Sequence, residues 1–125
     1  MKVLIVDDSP IIRERLAELL TEIEGIEIVA QAKDADQAAD LVKALQPDVA
    51  IVDVRMPKRS GMDLIEDVKN ARRPPKIIML TNFPTPENRA KCLSQGADYF
   101  FDKASELEQV LTVLKDLMQE SCGLQ

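Results

Sequence analysis

Short apolar runs that each end in a polar residue restrict this chain more than any other feature. The sharpest is Val49-Ala50-Ile51-Val52, which closes on the single carboxylate of Asp53. Lys2 to Val6 ends in Asp7-Asp8, Ile77 to Leu80 ends in Thr81-Asn82, and Tyr99-Phe100-Phe101 ends near Lys103. An apolar run bounded by turn residues reads as a strand buried on both faces. Such strands belong to parallel sheets covered by helices. Ligands and chemistry in open α/β sheets sit just beyond the carboxyl ends of the strands. Asp53 therefore stands where a site would be, at the tip of the central strand.

Helical patterns fill the intervals. Ser9 caps a first helix with Pro10 at its first position and Ile12, Leu16, Leu19, Leu20 and Ile23 on one face; Gly25 stops it. Ile26, Ile28 and Ala30 read as an edge strand whose alternation is broken by Val29. Asp34 and Gln37 form a capping box for a second helix that Pro47 ends. A third helix runs from Met62 to about Asn70, and a fourth from Thr85-Pro86 to Gly96. Ser105 and Glu108 read as a capping box for the last, with Leu107, Val110, Leu111, Leu114 and Met118 facing inward. Five strands alternating with five helices predict a parallel sheet with helices on both faces. No internal repeat or linker interrupts the pattern, so one domain is expected over residues 1–121, with 122–125 as a tail and no second domain.

Composition excludes several functions. A net charge of −6 argues against direct nucleic-acid binding, which needs a basic face. No apolar run approaches a membrane span, and the short Val3–Val6 stretch is no signal peptide, so a cytoplasmic protein is expected. Cys92 and Cys122 read as reduced thiols. The chain has no histidine, which leaves oxygen ligands for a hard cation. Its four glycines form no glycine-rich phosphate loop.

In a parallel sheet the residues that follow the strands share one edge, so Asp7, Asp8, Asp53, Thr81 and Lys103 are expected to meet. Carboxylates ~5 Å apart repel by about 3 kcal/mol per pair at an effective dielectric of ~20. Three pairs total roughly 10 kcal/mol, comparable to the whole stability of a small domain. Lys103 offsets part of this, and the rest calls for protonation or a bound cation. An all-oxygen acidic site suits Mg²⁺. A carboxylate beside Mg²⁺, an amine and a hydroxyl is a good phosphoryl acceptor.

With these residues in view, the chain resembles the receiver domain of two-component response regulators over about residues 2 to 119. The motifs are Asp7-Asp8, Asp53-x-x-Met56-Pro57 with Ser60-Gly61, Thr81, and Lys103. The resemblance implies a flavodoxin-like, doubly wound five-stranded sheet of order 2-1-3-4-5. It implies a module, free-standing or part of a longer protein, with Asp53 as phosphoacceptor, served by a sensor histidine kinase or phosphotransfer protein and acting on an unidentified downstream protein. Asp8 and Asp53 would ligate Mg²⁺ directly, Asp7 through water, and the Arg55 carbonyl would complete the protein ligands. Lys103 would bind a phosphoryl oxygen, Thr81 would move to bind another, and Phe100 would rotate inward. The fourth helix, fifth strand and their loops would form the moving surface, with Pro84 and Pro86 stiffening the connection to Thr81. Such a domain catalyses only its own phosphorylation and dephosphorylation.

This sequence departs from the family pattern at three places. Phe100 replaces the frequent tyrosine and loses its hydroxyl, while the adjacent Tyr99 points to the other face. Asn82 stands where a small residue is usual, which is expected to narrow the approach to Asp53 and slow phosphotransfer. Arg55 and Phe83 occupy the positions that gate the attacking water, and a bulky Phe83 is expected to lengthen the phosphoryl lifetime. Two other readings remain open at this point. One is a phosphatase with Asp7 as nucleophile, although that chemistry usually wants Asp-x-Asp and a substrate cap. The other is a phosphorylation-independent interaction domain, which would have no need to keep the acidic repulsion.

Overall fold

The computed structural model describes residues 1–56 and 58–123, the last three by backbone alone. Pro57 of the motif, the Cys122 thiol and residues 124–125 lie outside the described portion. The elements alternate as β1 (Lys2–Val6), α1 (Pro10–Thr21), β2 (Glu27–Ala32), α2 (Ala35–Leu45), β3 (Val49–Asp53), α3 (Gly61–Lys69), β4 (Lys76–Thr81), α4 (Pro86–Ser94), β5 (Tyr99–Asp102) and α5 (Leu107–Gly123). All strands pair in parallel, in the order β2-β1-β3-β4-β5. The fold is thus the expected flavodoxin-like α/β sheet, with β3 at its centre.

Side chains that alternate along the strands build two cores. Leu4, Val6, Ala50, Val52, Ile77, Met79 and Phe100 pack on one face against α2, α3 and α4. Val3, Ile5, Val49, Ile51, Ile78 and Leu80 pack on the other against α1 and α5. Every residue of β3 is buried, which is why its sequence shows no polar alternation before Asp53. Tyr99 and Phe101 face the second core and stack at 6.4 Å, whereas Phe100 faces the first. Among the described residues no helix is long and apolar enough to cross a membrane.

Val29, where the strand pattern breaks, is the extra residue of a bulge. Val3 pairs with Ile28 but Leu4 pairs with Ala30. The bulge puts Leu4 and Ala30 in the same core despite the odd spacing.

Several local expectations need correction. Helix α1 ends at Thr21 with Glu22 as its cap, so Ile23 and Gly25 lie in the following turn. The Ile23 N–H still bonds the Leu20 carbonyl, and Gly25 takes φ 94°, which reverses the chain into β2. Asp34 accepts from the Gln37 N–H as expected, but Gln37 Oε1 accepts from Lys33 N–H and not from Asp34. The Ser105–Glu108 capping box does not form. Ser105 Oγ donates to Asp102 Oδ2, Asp102 N–H donates to Glu106 Oε1, and the helix begins only at Leu107. Asp102 competes for the hydroxyl because it lies on the same turn, an outcome that spacing alone does not distinguish. Helix α5 continues to Gly123, so the backbone at Cys122 is helical.

The approach of α3 to β3 sets the geometry of the site. Ser60 caps α3 by accepting from Asp63 N–H, and the Gly61 N–H bonds the Val54 carbonyl at 2.8 Å. A Cβ on Gly61 would sit 2.2 Å from the Asp53 carbonyl oxygen and 3.0 Å from Val52. Gly61→Ala must therefore push α3 off the strand tip. It is expected to cost about 2–3 kcal/mol in urea denaturation.

Candidate functional site

The carboxyl edge of the sheet brings the expected residues together. One carboxylate oxygen from each of Asp7, Asp8 and Asp53 lies within 4.8 Å of the others. Asp7 and Asp8 arrive on the end of β1, and Asp53 on the adjacent β3. Asp7 is buried and Asp8 is exposed. Asp53 retains 6% of its surface. The Lys103 ammonium stands between the two buried acids, 2.7 Å from Asp7 Oδ2 and 3.1 Å from Asp53 Oδ2. The contact to Asp7 Oδ2 is the closer of the two.

Main-chain groups fix the acids. Asp7 N–H bonds the Ala32 carbonyl, its Oδ1 accepts from Ser9 N–H, and its own carbonyl accepts from Arg13 Nη1. Asp53 Oδ1 accepts from Arg55 N–H at 3.2 Å. Thr81, buried at the end of β4, accepts from Phe83 N–H at 2.9 Å, which leaves its O–H free to donate. Asp8, Ser9, Ile12, Asp53, Arg55, Thr81, Asn82, Phe83 and Lys103 line a cleft of about 250 Å³. At its mouth the Arg55 guanidinium lies 4.1 Å from the centre of the Phe83 ring, a cation–π contact. Phe100 already lies inward, 6% exposed, with its carbonyl facing Arg89 Nη1 at 3.5 Å.

Sequence reasoning missed Arg13 and Arg59. Arg13 holds the Asp7 carbonyl, and Arg59 bridges Asp36 of α2 to Asp67 of α3, tying down the loop after β3. Either acid of the second pair, at the ends of a charged helix surface, is a visible partner for a nearby arginine. A bond to a backbone carbonyl has no signature in sequence.

Burial pushes the Asp53 carboxyl up to about 6, and the neighbouring Asp7 adds to the rise against the opposing pull of Lys103. Burial also pulls the Lys103 ammonium down, but the two acids outweigh it and its net displacement is upward. The site is thus short of positive charge. Three clustered carboxylate oxygens with a single ammonium beside them form a hard all-oxygen set that fits Mg²⁺.

The response regulator receiver domain family matches residues 3–115. A protein-glutamate methylesterase/protein-glutamine glutaminase of Methanococcus maripaludis is 41% identical over 84% of the chain and 29% of its own length. The transcriptional regulatory protein LnrK of Bacillus subtilis is 31% identical over 98% of the chain and 54% of its own. The chain therefore spans about half or less of these relatives. Among solved structures, the signal receiver domain of the putative response regulator NarL from Mycobacterium tuberculosis superposes with a TM-score of 0.86 at 29% identity, covering 93% of this chain and 94% of that one. The receiver domain of RcsB from Salmonella enterica serovar Typhimurium, solved with phosphomimetic BeF3-, gives 0.82 at 26% identity, covering 93% and 88%.

The raised Asp53 value carries a stability consequence. Its folded value of about 6 exceeds the unfolded 3.8. The protonated form therefore adds stability that is complete below pH 3.8 and lost as pH rises through about 6. In metal-free buffer at pH 7.5, Asp53→Asn is expected to be more stable than wild type by about 2–3 kcal/mol. The difference should vanish near pH 4, as read by urea denaturation at each pH.

Proposed function

The chain belongs to the response regulator receiver domain family, and on that footing we propose that residues 1–121 form one Mg²⁺-dependent phosphoacceptor domain with Asp53 as the acceptor. The observation that carries this reading is the Asp53 carboxylate at the floor of a cleft, with Lys103 Nζ at 3.1 Å and Thr81 beside it. Asp8 and Asp53 would hold Mg²⁺ directly, Asp7 through water, and the Arg55 carbonyl would complete the set. The bound ion supplies positive charge for the phosphoryl oxygens and relieves the repulsion among the acids.

The residues of the chain then divide the work. A carboxylate oxygen of Asp53 attacks phosphorus, and the bond to the donor's leaving atom breaks. Lys103 balances charge on a phosphoryl oxygen, and Thr81 donates its free O–H to another. The added charge shifts the population of states only by the difference in its contacts with each. The β4–α4 loop, α4 and β5 carry that difference to a partner surface. Phe100 holds its inward place in the phosphorylated form.

The implied partners are a sensor histidine kinase or phosphotransfer protein upstream and a protein target downstream, in the cytoplasm, without direct contact to nucleic acid or membrane. The activities of the longer relatives are properties of those proteins. The domain acts on no separate substrate. The phosphatase reading fares worse because Asp7, its nucleophile, is the acid most enclosed: Ser9 N–H takes Oδ1 and the Lys103 ammonium faces Oδ2.

Acetyl phosphate with Mg²⁺ is expected to add one phosphoryl group by intact mass, absent in Asp53→Asn and without Mg²⁺. Label on Asp7, or none on the wild type, would overturn the reading. Asn82 is exposed and borders the cleft. Asn82→Ala is expected to label severalfold faster, and an unchanged rate would remove Asn82 as a steric brake.

A further inference from the structure

We propose that Asn88 is a positioning residue for the phosphoryl site: it holds the Phe83 carbonyl, keeps the Phe83–Arg55 pair over the cleft, and so sets how long phosphate survives on Asp53. This rests on the receiver reading above.

Phe83 is 48% exposed, and the residues around it, Asn82 to Thr85, are all exposed. Apolar packing does not hold such a ring in place. Its backbone is held instead. Phe83 N–H donates to Thr81 Oγ1 at 2.9 Å. The Phe83 carbonyl accepts from Thr85 N–H at 2.8 Å and from Asn88 Nδ2 at 2.9 Å. Asn88 N–H in turn donates to Thr85 Oγ1 at 3.1 Å. Asn88 therefore closes the loop with both its amide and its main chain. It sits on α4, which is anchored in the core by Cys92. Among these bonds only the one from Asn88 Nδ2 ties the Phe83 peptide to a helix side chain.

Loss of the phosphoryl group requires water at the cleft. The water oxygen attacks phosphorus, the bond to the Asp53 oxygen breaks with its electron pair returning to the carboxylate, and inorganic phosphate leaves with the water's protons. Phe83 and Arg55, in contact at 4.1 Å, flank the entrance. A loop freed from Asn88 lets that pair part more often and admits water.

Asn88→Asp isolates the effect. Position 88 is the third of α4, after the Thr85 cap, where a carboxylate suits the helix N-terminus. The main-chain bond to Thr85 stays, and only the Nδ2 donor is lost. Asn88→Leu controls for the added charge. Both variants, phosphorylated with acetyl phosphate and freed of it by desalting, are expected to lose phosphate about fivefold faster than wild type, the scale of one neutral hydrogen bond. Magnesium affinity should be unchanged, and the thermal midpoint should fall by no more than the few degrees that one lost hydrogen bond accounts for. Phe83→Ala should decay as fast, and adding Asn88→Asp to it should change nothing further, since the residue acts through the ring. A lifetime within twofold of wild type in both Asn88 variants, or additivity with Phe83→Ala, would overturn the proposal. If the wild type itself takes no phosphate on Asp53, the receiver reading fails first and this inference with it.

Discussion

One ammonium group makes the arrangement at the sheet edge tolerable. Lys103 reaches Asp7 at 2.7 Å and Asp53 at 3.1 Å in a site where all three groups are buried. Removing it would leave two buried carboxylates face to face, a loss of several kcal/mol by the usual reckoning for a broken buried pair. Yet one positive charge set against three clustered acids is too little. Burial and Asp7 still hold the Asp53 carboxyl near 6 in spite of the lysine. A fully compensated cluster would bind nothing further. On the proposed function, the deficit would give a cation, and then a phosphoryl group beside that cation, a reason to bind.

The surroundings divide into a rigid floor and a lighter cover. Asp7 is fixed by Ala32, Ser9, Arg13 and Lys103, drawn from β2, α1 and the end of β5. Asp53 extends from a fully buried strand, and Gly61 lets α3 close directly against its carbonyl. The cover is made of exposed loop residues held by a few hydrogen bonds and one cation–π contact. The floor needs precise placement for charge to be balanced, while in the proposed reaction the cover would open for donor and water.

The strands and the acid cluster were legible because both follow from burial. A strand covered on both faces must be apolar throughout, so Val49–Val52 could hardly be anything else, and a carboxylate at its tip had few explanations. The broken alternation at Val29 left the edge strand readable but did not reveal the bulge that interrupts it. Legibility failed where several polar groups compete for one bond. Ser105 had a glutamate at the capping distance but gave its proton to Asp102, and Gln37 turned to Lys33. It failed again where a side chain serves the main chain, as Arg13 and Asn88 do. Those choices are settled by three-dimensional proximity, and spacing along the chain does not encode them.

The same bonds decide what can travel outward from the site. Thr81 accepts from the Phe83 N–H with one lone pair and has its hydrogen to donate to a ligand in the cleft. Any group that draws Thr81 toward Asp53 therefore draws on the Phe83 peptide, unless that bond breaks. The carbonyl of the same residue is held by Thr85 and Asn88 at the start of α4. A buried hydroxyl and an exposed helix are thus linked through the backbone of a single residue, Phe83, whose ring also lines the cleft. Access of water and displacement of α4 are then two readouts of one structural variable. If Asp53 carries phosphate as proposed, a change at Phe83 that altered its lifetime would also alter how firmly the site is coupled to α4.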